Sequence, residues 1–270
     1  MHPRERFVEA VSRTAADMPL DVAALCIAAH AHPDIDVDEW MARLDELAGR
    51  CTATTFDALR VMLFDQVGFA GNLDHYDDPE NSFLDSVIAR RLGIPITLSV
   101  IMLVVGRRLG VDVQGVGMPG HFLVLDAQRG DRWCDPFHRG VMLDADGCRG
   151  QFDLVYGGTL TFQPSFLAPT GPHAIVSRML ANLERGPFAN DPVQRAWMCG
   201  LHLAIPGITF QEQLRLADQL AATGDVMRAA QEFDLLAARV DGEGPEAAGA
   251  GQNVAAKLRT RARALRARLN

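Results

Sequence analysis

The sequence predicts an α+β fold in which one buried helix packs on a small antiparallel sheet, with further helices before and after that core. Three observations predict it. Residues 94–106 are almost wholly apolar, and Leu98, Ile101, Met102, Val105 and Leu109 recur at three- and four-residue spacing, so this helix has little exposed face. Directly downstream, three short stretches at 111–116, 121–125 and 132–135 are separated by turn formers and read as strands. On either side the periodicity is helical, as in Trp40, Leu44 and Leu47. The corresponding division is a helical region at 1–70 packed on the core, a core at 71–165 and a helical tail at 171–270.

Helices are expected at 4–16, 21–30, 37–47 and 56–67. His30 and His32 lack a third ligand nearby and are read as part of a surface turn. Residues 68–80 carry the turn formers Gly71-Asn72 and Asp77-Asp78-Pro79 around Tyr76, a polar loop that can border a cleft. Ser82 and Asp85 resemble a capping box for a helix ending near Arg91, with Gly93 as its C-terminal cap. Pro95 suits the first turn of the buried helix, and Arg107 and Arg108 complement its C-terminal dipole before Gly110 closes it. Beyond the strands, 148–156 reads as a helix, 160–169 as an irregular link, and 173–184 and 192–203 as helices. Residues 211–240 read as a helix pair turning at Gly224-Asp225, and 241–251 as a flexible link. In the last stretch Val254, Leu258, Ala262, Leu265 and Leu269 form one stripe among basic residues, read as a helix docked on the acidic body.

Composition bounds the function. With 34 acidic against 26 basic residues the net charge is −8, which argues against nucleic acid as a partner. The N-terminal Met1-His2-Pro3-Arg4-Glu5-Arg6 has no signal-peptide core, and the apolar run from Ile94 is shorter than the ~18 residues of a membrane span. A soluble cytoplasmic protein without membrane insertion is the expectation. The five cysteines are odd in number and contain no C-x-x-C pair, so each is expected to be a reduced, buried, small apolar residue.

The chemistry gathers between residues 81 and 137. Antiparallel pairing can bring His121 beside Asp135, and such a carboxylate can hold an imidazole's orientation. A nucleophile at the start of the buried helix would face them. The segments Asp78-Pro79-Glu80-Asn81-Ser82-Phe83-Leu84, Arg90-Arg91-Leu92-Gly93-Ile94-Pro95-Ile96-Thr97-Leu98-Ser99, Arg107-Arg108-Leu109-Gly110, Pro119-Gly120-His121-Phe122 and Asp135-Pro136-Phe137 resemble the transglutaminase-like superfamily. More narrowly they resemble its bacterial SirB-type branch, over about residues 20–160. That resemblance implies a papain-like core, with His121 and Asp135 at the positions of the catalytic His and Asp. It also places Pro95 where active members carry the cysteine. The helix pair at 211–240 resembles a tetratricopeptide unit, which SirB-type proteins commonly carry after the core.

A proline has no nucleophile. Ser99 and Thr97 are the possible substitutes, while alternation along the strand turns Cys134 away from a site faced by Asp135. The leading expectation is therefore a non-catalytic cleft that binds a peptide or protein segment, bordered by Tyr76, Asn81, Arg91, Gly120 and Phe122. One alternative is a hydrolase or acyl transferase of altered chemistry with His121 as general base. Another is a regulatory scaffold acting through its tail. No cofactor is expected. No metal is expected either: His121, Asp135 and His138 fit no zinc spacing, and His138 is read as a solvated turn residue.

Overall fold

The chain opens with the helices α1 (Pro3–Ser12), α2 (Leu20–Ala31), α3 (Val37–Gly49) and α4 (Phe56–Arg60), in a computed structural model that describes residues 1–242 and 248–268. The described chain divides into two units, Met1–Asn182 and Leu183–Asn270. Local chemistry starts the helices. Asp36 caps α3 by accepting from the Asp38 N–H, and Thr55 caps α4 by accepting from Ala58. α4 widens into a π-helical segment, Val61–Val67, which Gly68 ends in the left-handed region at φ 88°.

Next come β1 (Ala70–Gly71), α5 (Leu84–Arg90), β2 (Leu92–Gly93) and α6 (Pro95–Leu109). Three expectations are corrected here. Ser82 and Asp85 form no capping box: the N-cap of α5 is Phe83, without a side-chain bond, and the Asp85 carboxylate meets His32 Nδ1 at 2.7 Å. His32 is therefore no surface-turn residue; it joins α2 to α5. The left-handed cap of α5 is Arg91, at φ 62°, rather than Gly93. Gly93 lies in β2, parallel to β1, and a Cβ there would come within 2.9 Å of both Thr97 and Val87. Close packing, not capping, calls for that glycine.

α6 is buried from Pro95 to Gly106. Its two polar residues there are satisfied internally. Thr97 Oγ1 accepts from the Ile94 N–H and donates to Asn81 O at 2.7 Å, and Ser99 Oγ donates to Pro95 O at 2.8 Å. The sheet runs β3 (Val113–Val116), β4 (Leu123–Asp126), β5 (Trp133–Asp135), β6 (Val141–Leu143) in that order, all antiparallel. All four residues of β4 are buried. α6 packs on β3 and β4, while Cys148 and Phe152 of α7 (Ala145–Tyr156) join Val116, Leu123, Leu125 and Trp133 in a second apolar cluster. A strand covered on both faces loses its alternation, which is why β4 reads as a continuous apolar run. α8 (Pro172–Arg185) follows.

In the second unit, α9 (Pro192–His202), α10 (Phe210–Thr223), α11 (Val226–Gly242) and α12 (Ala248–Ala267) share a core that includes Leu216, Leu220, Phe233, Leu236, Leu258 and Leu265. Gly224 turns the chain between α10 and α11 at φ 93°. The basic last helix packs Ala255, Leu258, Ala262 and Leu265 inward, whereas Val254 is exposed. Arg259, Arg261 and Arg266 pair with Asp241, Asp218 and Asp234. Of the stretch expected as a link, 241–251, α11 takes in Asp241 and Gly242, and α12 begins at Ala248. Residues 243–247 and Leu269 lie outside the described residues. Beneath this core, buried His202 sits between Glu184 at 2.6 Å and Glu212 at 3.1 Å. Four cysteines are buried free thiols; Cys51 is only partly covered.

β1 joins the N-terminal helices to the sheet's turn at 135–140. The Gly71 N–H donates to Phe137 O at 2.9 Å, and a Cβ on Gly71 would lie 2.4 Å from the Phe137 ring and 2.6 Å from its carbonyl oxygen. Gly71→Ala is expected to cost about 1–3 kcal/mol of unfolding free energy in urea titration, because ring and backbone must both move.

Candidate functional site

The site is built on a turn. Asp135 ends β5, and its Oδ1 accepts from the backbone N–H groups of Phe137 at 3.0 Å and His138 at 3.2 Å. This Asx-type closure fixes the carboxylate relative to the chain that follows. Arg139 and Gly140 both take positive φ, and a Cβ on Gly140 would lie 2.3 Å from Phe64, so the turn is seated on the π-helical segment.

Asp135 Oδ2 gathers the side chains. His138 Nδ1 and Gln151 Nε2 each hydrogen-bond to it at 2.7 Å. His121 Nε2 lies 2.9 Å away. That last contact is an ion-pair distance whose N–H axis misses the oxygen, so Nε2 is buried without a hydrogen bond. Burial by itself pushes the Asp135 pKa up. The His121 imidazole, then His138 and Gln151, outweigh it and bring it down to about 2. Asp135 has no exposed surface, the His121 side chain is 10 % exposed and His138 is 49 % exposed.

His121 reaches this place through the strand register. Val124 pairs with Cys134 and Leu125 with Trp133, which brings Asp135 beside the start of β4, two residues from His121. Gly120, at φ 75°, makes the preceding turn, and a Cβ there would press on Val155 at 2.8 Å. Arg178 of α8 donates to His121 O at 2.7 Å and Met118 O at 3.1 Å, clamping the turn from outside. Its guanidinium also lies over the Phe122 ring.

The N-terminal part of α6 adjoins this chain, since Ser99 Oγ is 3.4 Å from Phe122 O. Pro95 occupies the helix start. Both nearby hydroxyls, Thr97 and Ser99, are directed at backbone carbonyls. Cys134 is wholly buried, and burial pushes its thiol pKa far up. Tyr76 is half exposed and packs edge-on against Phe137 at 5.7 Å. Asn81 is buried, its amide donating to His75 O and Tyr76 O and accepting from Asn72, so it shapes the loop rather than facing solvent. Phe122 is likewise buried. Arg91 is exposed and contributes a carbonyl to Ala70 N.

The sequence weighs His138 only as a metal ligand and reads it as a solvated turn residue, and it does not mark Gln151 or Arg178. For His138 the Asp-x-x-His spacing across a turn was an available signal. Gln151 and Arg178 come from helices remote in sequence and carried none. Elsewhere in the first unit a groove of about 780 Å³ is lined by residues including Met18, Leu103, Arg107, Val113 and Ile175, and it shares no residue with the His121 cluster.

The transglutaminase-like superfamily profile matches residues 28–181. A UPF0162 protein of Xylella fastidiosa is 36% identical over 197 residues, covering 67% of this chain and 69% of that protein. One from Vibrio cholerae is 28% identical over 146 residues, covering 53% of this chain and 54% of its own length. Mouse F-box only protein 21 is 38% identical over 100 residues, covering 37% of this chain and 14% of that protein. No solved structure matches the chain. Among the described residues, no helix is long and apolar enough to cross a membrane.

The depressed pKa of Asp135 has a signed consequence. Its folded value lies below the ordinary 3.8, so its contribution is present above that value and lost as pH falls through about 2. Asp135→Ala should lower the unfolding free energy by about 2 kcal/mol at neutral pH, and the gap from wild type should close in acid as the native carboxylate takes up its proton. Urea titrations across the acid range measure both.

Proposed function

The chain belongs to the transglutaminase-like superfamily, and on that premise we propose that it is a non-catalytic member whose cleft at His121 binds a peptide or protein segment. One observation carries the reading. Pro95 stands at the helix start while the His121–Asp135 pair is retained, and the hydroxyls of Thr97 and Ser99 are committed to carbonyl oxygens. Acyl transfer through a side chain needs a nucleophile within reach of the base. Thr97 and Ser99, the hydroxyls in the N-terminal part of α6, are turned to carbonyls instead.

Binding makes use of what is left. Among the described residues none hydrogen-bonds His121 Nδ1, and half-exposed His138 and Tyr76 flank the Phe137 ring. An imidazole nitrogen beside aromatic edges suits a backbone amide with a neighbouring apolar side chain. Gly120 and Arg178 hold the His121 turn, and exposed Arg91 supplies a cation for an acidic residue. The helix pair α10–α11 supports a tetratricopeptide-like reading of the tail through Gly224 at its bend and Ala229 and Phe233 inside.

The test is a peptide library panned against the full chain, with affinities of selected peptides read by fluorescence anisotropy and products by mass spectrometry. His121→Ala should weaken binding at least tenfold, about 1.4 kcal/mol, with no cleaved or cross-linked peptide in either protein. Turnover that His121→Ala abolishes would replace this reading with a hydrolase or acyl transferase using His121 as base. Peptide affinity untouched by the substitution would move the working surface elsewhere, to the tail first.

A further inference from the structure

We propose that His121, Asp135 and His138 form a binding site for one divalent transition-metal ion of the zinc class. Each offers one ligand atom, and the three atoms lie within 4.8 Å of one another. Two imidazoles and one carboxylate are a donor set of borderline softness that suits zinc and its neighbours rather than calcium or magnesium.

Geometry singles this cluster out from an ordinary His–Asp contact. In a plain pair the ring N–H points at the carboxylate oxygen. Here His121 Nε2 is 2.9 Å from Oδ2 with its axis directed past it, and it is buried with no hydrogen bond. With bonds of about 2.0–2.2 Å, ligands at tetrahedral angles stand about 3.3–3.6 Å apart, so His121 Nε2 and His138 Nδ1 need to draw back from Oδ2 by less than about 1 Å for one cation to enter between them. Gln151 Oε1 is a second buried polar atom without a partner beside the same carboxylate. Two such orphans around one fixed anion indicate a site built for more than the hydrogen bonds it makes.

The supporting shell is in place. Both N–H groups on Oδ1 orient the carboxylate and leave Oδ2 as a single ligand atom. Arg178 and the Gly120 turn fix His121 from the other side. His138 Nδ1 is hydrogen-bonded to Oδ2 at 2.7 Å, so the incoming cation replaces the proton between them, and that proton leaves to solvent. His138 is half exposed, which gives the ion a route in and leaves a coordination position open to water or to a carbonyl. The inference does not depend on peptide binding.

The experiment is calorimetric titration of Zn²⁺ into the full chain after chelator treatment and dialysis, with Co²⁺ absorption reporting coordination. One Zn²⁺ per chain with Kd below about 10 μM is expected, with visible Co²⁺ d–d bands. His138→Ala, at a half-exposed position that keeps the fold, should weaken Zn²⁺ binding at least tenfold and abolish the bands, and Asp135→Asn should do the same. His2→Ala, an exposed histidine in the N-terminal cap, should change neither. A Kd above about 100 μM, or binding unchanged in both His138→Ala and His121→Ala proteins shown to be folded by circular dichroism, overturns the proposal. Peptide binding that persists in chelator while Zn²⁺ fails to bind would remove the metal site and leave the cleft reading standing.

Discussion

A buried carboxylate is the constraint on which this core depends. Asp135 has no solvent contact, and an isolated ion in such a place is too costly to keep. Two backbone N–H groups, one imidazole and one amide hydrogen-bond it, and a second imidazole lies at ion-pair distance. Those groups come from β5's own turn, from α7 and from the loop ahead of β4. Satisfying one anion therefore fixes the relative position of three elements. Gly71 and Gly140 belong to the same constraint, since the turn that carries the donors can approach β1 and Phe64 only where a Cβ is missing.

Against that frame α6 is almost featureless. Its buried face is aliphatic, and its first turn opens with a proline whose missing N–H leaves one fewer unsatisfied donor at the helix start. A helix N-terminus is the place where a thiol's pKa is lowered. Here the local positive field has no ionisable side chain to act on. Thr97 and Ser99 repair the backbone of the turn and its neighbour instead. The His121–Asp135 contact and the start of α6 carry separable structural duties. The first is a structural pin for strand and turn; the second has no structural duty that a proline cannot meet.

How much of this was legible follows from what each residue's neighbours are. The α6 helix, the antiparallel strands, Pro95, His121 and Asp135 could be read because their signals lie within one helical turn or one strand pair. The cap of α5 was misplaced because Gly93 and Arg91 exchange the usual roles: packing against Thr97 and Val87 requires the glycine, and the left-handed cap falls on a residue with a long side chain. The Ser82–Asp85 pattern was overridden by a partner 53 residues away, His32. A local rule fails when a distant charge offers a better bond. Gln151 and Arg178 were illegible for the same reason, since nothing in their own helices marks them.

His138 is the instructive middle case. Its place in a turn argued for solvent, and half of its side chain is indeed exposed. Yet the turn that exposes it is closed by Asp135's own Oδ1, and that closure carries the His138 ring back over Oδ2. A residue three positions from a buried carboxylate across an Asx-type turn is pointed at the anion by the backbone itself. The cluster is thus better described as two imidazoles on one carboxylate. Its second imidazole comes from the turn that stabilises the first contact. Of the three, His121 is the member most enclosed with the carboxylate, whereas His138 keeps half of its side chain in solvent.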